Sequence, residues 1–144
     1  MGNNPFVGVW RLVTFEFWKE DGSIIYPFGA EAHGSFIYTK SGHFSVQLMR
    51  SDRPKFAVSD QQRGTPDEIK ANYTGAISYY GTYKVDLENQ MIVHHVEGSI
   101  FPNMEGTDQI RSFEVSKKRL QLDTTPFNLA GERGFGKLRW ERIE

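Results

Sequence analysis

The sequence has no cysteine, which excludes a disulfide framework, a thiolate nucleophile and any cysteine-held zinc. It has no apolar run approaching the ~20 residues that a membrane-spanning helix needs. Charge of one sign is also missing: 17 Lys and Arg stand against 18 Asp and Glu, for a formal charge of −1. The densest basic cluster, Lys117-Lys118-Arg119, falls where a hairpin turn is expected and reads as a solvated turn. Nothing here gives the electrostatic footprint of a nucleic-acid or anionic-membrane partner. The stretch Met1-Gly2-Asn3-Asn4-Pro5 has neither the basic segment nor the apolar run of a signal peptide, so the expected location is cytoplasmic. There is no phosphate-cradling glycine-rich loop, no G-x-S-x-G and no helical H-x-x-x-H, and no cofactor is expected.

What is present is aromatic. Eleven Phe, six Tyr and three Trp make 14% of the 144 residues, although the hydrophobic share is only 38%. Fourteen Gly and six Pro are spread along the chain, as many short strands joined by turns require. The length fits one domain over 1–144, without linker or internal repeat.

Strand signals dominate. The run from Phe6 to Trp18 alternates Trp10, Leu12, Thr14, Glu16 and Trp18 against Val9, Arg11, Val13, Phe15 and Phe17. Gly34 to Thr39 and His43 to Arg50 read as a hairpin about Ser41-Gly42. A two-residue loop there sets Tyr38 opposite Ser45 and Phe36 opposite Gln47, with Ile37, Phe44 and Val46 on the other face. Thr65-Pro66-Asp67-Glu68 is a capping box with proline at the first helical position, and Ile69, Tyr73 and Ile77 follow at helical spacing. The spacing predicts a helix from Thr65 to about Tyr79, closing one end of the fold. Strands follow at Tyr79 to Asp86, Met91 to Gly98, Thr107 to Ser116, Arg119 to Thr124 and Gly136 to Ile143. Eight strands on short turns predict an all-β, antiparallel up-and-down barrel with room for one small ligand.

Several motifs carry a resemblance. Gly8-Val9-Trp10 opens the first strand and Trp140-Glu141-Arg142 closes the last. Between them lie Tyr38-Thr39-x-x-Gly42, Tyr80-Gly81-Thr82-Tyr83, His94-His95-Val96-Glu97-Gly98-Ser99 and Pro102-Asn103-x-x-Gly106-Thr107-x-Gln109-x-Arg111. Together they resemble the small lipocalin-like domain family of bacteria and fungi, a calycin-type barrel, over nearly the whole chain. The resemblance implies that Trp10 plugs the closed end and that a late basic residue, Arg142, packs across it. Met104 departs from the pattern, which leads one to expect Trp after Pro-Asn. Some fungal relatives with this fold appear in natural-product pathways as isomerases or cyclases, an analogy of fold alone.

Among residues that can carry chemistry, His94 and His95 are neighbours on a strand, so only one enters the barrel. An even-length turn after Val85 puts His94 with Tyr83, Ile92 and Val96 on the more apolar face, and His94 is the expected inward residue. A one-residue bulge near Asn89 would reverse this. An inward His has a reference pKa near working pH and suits general acid–base work or hydrogen bonding to a ligand. Adjacent histidines diverge and cannot share an ion, so no metal site is expected. Arg111 shares a strand face with Gln109, Phe113 and Val115. If inward, it needs a partner, either a carboxylate such as Glu16 or an acidic ligand group. Tyr38, Gln47 and Tyr83 complete the candidate ligand-binding set with His94 and Arg111.

Three readings follow. The leading one is binding of a small hydrophobic or amphipathic molecule inside the barrel. The alternative is a cofactor-free isomerase or cyclase in which His94 moves a proton and Arg111 or Tyr83 steadies an oxyanion. A third is a homodimer covering the outer face, since Phe15 and Phe17 alternate with apolar residues on the opposite side.

Overall fold

Runs of aromatic and β-branched residues become strands, and the turns between them decide which face each run shows. The computed structural model describes residues 3–144. The strands are β1 (Gly8–Lys19), β2 (Ile24–Ile25), β3 (His33–Tyr38), β4 (His43–Met49), β5 (Ala76–Asp86), β6 (Met91–Ser99), β7 (Asp108–Val115), β8 (Arg119–Thr124), β9 (Phe127–Leu129) and β10 (Glu132–Arg142). Helix α1 (Pro66–Thr74) lies between β4 and β5, and a 3-10 turn at Pro102–Met104 follows β6. Successive long strands pair antiparallel, and β10 returns to pair with β1. With β2 and β9 as short flaps on β1 and β10, the other eight strands form a closed barrel. The expected fold class is the observed one.

The β3–β4 register differs from expectation by one residue. Tyr38 pairs with Phe44, Phe36 with Val46 and Ser35 with Gln47. The loop therefore holds three residues, Lys40 to Gly42, and Gly42 takes a φ of +94° that closes a bulged hairpin. Because side chains alternate, that single residue moves Phe36, Tyr38, Phe44, Val46 and Leu48 together onto the inner face.

A second irregularity sits in β1. The ladder to β10 runs Leu12 to Trp140 and then Thr14 to Arg139, leaving Val13 unpaired. Trp10 and Leu12 point inward before this bulge, and Phe15 and Phe17 point inward after it. Phe15 and Phe17 are thus buried within one chain, while Val13 at the bulge stays exposed.

The helix is shorter than expected. Its capping box forms, with Glu68 N donating to Thr65 Oγ1 and Thr65 N to Glu68 Oε1. It ends at Thr74 with Gly75 as its C-cap, and Ile77 lies in β5 instead. Ala76 to Tyr79 pair with Met49 to Val46, so sheet hydrogen bonds and burial of Tyr79 outweigh a weak helical pattern. No residue of α1 is buried. No helix among the described residues is long and apolar enough to cross a membrane.

The closed end is built from both chain termini. Trp10 is fully buried, its indole N–H donates to Phe6 O, and the Arg142 guanidinium stacks 4.2 Å from its ring centre. Arg142 also donates to Pro5 O, Val7 O and Lys117 O. Gly8 has a φ of +137°, and a Cβ there would lie 2.1 Å from Glu144 O, so only glycine fits beneath the guanidinium. Phe6 wedges between Tyr38 and Phe113 with edge contacts of 5.2 and 4.8 Å. Burying such a ring contributes about 1.5–3 kcal/mol.

Candidate functional site

Above that plug the barrel is hollow. A cavity of about 670 Å³ opens at the end where β5 and β7 begin and β6 and β8 finish. This is within the size range of sites for small organic ligands. Its inner wall is aromatic and aliphatic, with Phe36, Val46, Leu122 and Trp140 among its residues. Ile77, Phe101, Met104 and Leu129 stand nearer the mouth. No Asp, Glu or Lys lines it among the described residues, and Arg111 is its one charged side chain.

His94 lies in this wall and is wholly buried. The four-residue turn from Leu87 to Gln90 is even in length, which pairs Tyr83 with His94 and sends both inward. His95 points out and meets Asp108 at 2.8 Å on the surface. The His94 ring packs against Phe44 at 4.7 Å and Phe36 at 5.4 Å. Burial pushes the imidazole well below its usual pKa, and the nearby Arg111 guanidinium pushes it further, so His94 is neutral.

Its tautomer follows from hydrogen-bond accounting. The Tyr38 hydroxyl lies 2.7 Å from His94 Nε2 and has no other partner among the described residues. Burial holds this phenol well above its ordinary pKa, with Tyr79 adding to the effect, so it keeps its proton. A buried O–H must donate somewhere, and Nε2 is its acceptor. The proton of the neutral imidazole then belongs on Nδ1, which is buried without a partner. We assign His94 as the Nδ1–H tautomer, with that nitrogen enclosed by the packed ring and not open to the cavity.

Arg111 comes from β7, where Gln109, Arg111 and Phe113 share the inner side. It is 9% exposed and, among the described residues, donates a single hydrogen bond, 3.1 Å to Ile110 O. Glu16, its expected carboxylate partner, is engaged elsewhere. The β1 bulge turns Glu16 to the outer side, where it accepts from Arg139 and from Trp18 Nε1.

The remaining expected residues divide. Tyr38 stands behind His94 and touches the site through it. Tyr83 lies toward the closed end, donating to Thr39 O at 2.6 Å and accepting from Asn4 Nδ2 at 2.9 Å, so its hydroxyl ties the hairpin to the N-terminal segment. Gln47 does not reach the cavity. The one-residue register change places it on the outer side of β4, bonded to Ser45. At the mouth, Arg50 is paired with Asp52 and caps Pro27 O. A separate hollow of about 580 Å³, beside the Val13 bulge, opens to solvent between Glu114, Arg119 and Arg139.

A barrel closed by a G-x-W tryptophan under a late arginine, hollow and aromatic above, matches the family model described as lipocalin-like domain over residues 7–143. The chain belongs to the lipocalin-like domain family. It is similar to the 4'-hydroxy-3'-methoxypropiophenone carrier protein of Aspergillus oryzae, with 28% identity over 106 residues, covering 69% of this chain and 96% of that protein. No solved structure matches significantly.

In this lipocalin-like domain the sequence reading missed Tyr79, Gln109 and the mouth residues. Gln109 was within reach: it lies two residues before Arg111 on the same face and pairs across the ladder with His94. Its amide donates to Thr107 Oγ1. Tyr79 was hidden by assigning its segment to the helix. Met104, the departure from the family pattern, lines the mouth and packs partly on the core.

Proposed function

We propose that this protein is a carrier that holds one small, largely apolar molecule inside the barrel. The observation that carries the reading is the cavity itself: about 670 Å³, aromatic-walled, open at one end, with few polar groups turned into it. The Aspergillus relative is named as a carrier of an aromatic ketone, which suits a cavity with this wall. Phe36 and Trp140 form the inner wall, and Arg111 and Gln109 are polar groups that reach it.

The rival isomerase or cyclase reading requires His94 to take a proton from a guest. With Tyr38 donating to Nε2, the other nitrogen already carries the hydrogen and is enclosed, so neither nitrogen is placed to take a proton from a guest. Binding without turnover is the better account.

Fluorescence of the neutral dye N-phenyl-1-naphthylamine tests the carrier role. We expect saturable one-to-one binding that is lost in Val46→Trp, where the new indole occupies the cavity. Equal binding by the filled variant would place the dye outside the barrel and defeat the proposal.

A further inference from the structure

We propose that the guest carries a carboxylate or similar oxygen anion and enters head first, so that Arg111 receives the anion deep in the barrel. This deepens the carrier reading and rests on it. Arg111 is the one charge in the cavity wall, and no acidic side chain lines that wall among the described residues. Glu16, the carboxylate expected from the sequence to pair with it, is committed to Arg139 on the outer side.

A guanidinium cannot shed its proton to escape burial. Arg111 spends one N–H on the adjacent Ile110 carbonyl and has no other protein acceptor among the described residues. A buried cation held this way lacks a counter-ion, and an anionic guest supplies it. The free N–H groups form a planar fork that matches two carboxylate oxygens.

Position along β7 gives the orientation. From the mouth inward the residues run Gln109, Arg111, Phe113, and Phe113 already touches the closing Phe6. Arg111 is therefore deeper than Gln109, while Ile77, Phe101, Met104 and Leu129 are nearer the opening. A guest with an anionic head and an apolar body places its head at Arg111 and its body among these side chains.

Displacement of bound N-phenyl-1-naphthylamine by 3-phenylpropanoate and by its uncharged amide tests this on the unaltered protein. The carboxylate should displace the dye at a concentration lower by about tenfold or more. Arg111→Gln should erase the ratio between acid and amide, and Arg111→Lys should keep part of it, since an ammonium retains charge but not the fork. An amide that competes as well as the acid overturns the inference, as does an acid preference that survives Arg111→Gln. Should a substituted chain fail to fold, the comparison on the unaltered protein decides alone. Failure of the dye itself to bind would remove the carrier reading, and this inference with it. Dye binding without acid preference would remove this inference only.

Discussion

His94 is a titratable side chain wholly buried in the barrel. Its folded-state pKa lies well below that of the unfolded chain, about 6.5. The neutral form belongs to the folded state, so the unfolded chain takes up the proton first as pH falls. The stability this provides is fully present above pH ~6.5 and is lost progressively below it. Beside the ring stand the Tyr38 phenol, which burial holds well above its ordinary pKa, and the Arg111 guanidinium, which pushes the imidazole in the same direction as burial. Urea unfolding between pH 5 and 6.5 should show stability falling by up to about 1.4 kcal/mol per pH unit from this residue. The fall should be shallower in His94→Phe. Equal slopes in the two proteins would mean that the imidazole is hydrated or charged in the folded state.

Elements explain what could and could not be read ahead of the structure. Eight strands were legible because their apolar runs are long and bounded by Gly or charged turns, and the Leu87–Gln90 turn was regular enough to orient His94 correctly. The β3–β4 hairpin was not, because Gly42 serves a two-residue and a three-residue loop equally well, and the choice flips Gln47 from inside to outside. The bulge at Val13 leaves no local mark in sequence, yet it takes Glu16 away from Arg111. Helix α1 was located by its cap but overextended, since nothing in Ile77 distinguishes a helix face from a strand in the sheet. Its energetics are local as well. With no buried residue on α1, Thr65→Ala should cost about 1 kcal/mol of helix stability. Amide exchange in Asp67 to Thr74 should quicken while the global melting temperature stays within a degree or so. A large drop in melting temperature would show that the helix is integral to the barrel.

The whole molecule divides its interior into two zones. Toward the closed end, Phe6, Trp10, Tyr38 and Phe113 fill the barrel, and Arg142 fastens both termini over it. Toward the open end the side chains stop short and leave the cavity, with Arg111 and His94 between the two zones. The resemblance in sequence conveyed this architecture because G-x-W and the late arginine act at the plug. It did not convey the contents of the hollow, which depend on register and on one bulge. Filling is therefore the central question. Mass spectrometry of the purified protein under native and then denaturing conditions, after exposure to a small-molecule extract, addresses it directly. The account predicts a discrete small-molecule mass that stays with the folded chain and leaves on unfolding. A folded chain that keeps its bare mass in the presence of both the extract and the dye would contradict it.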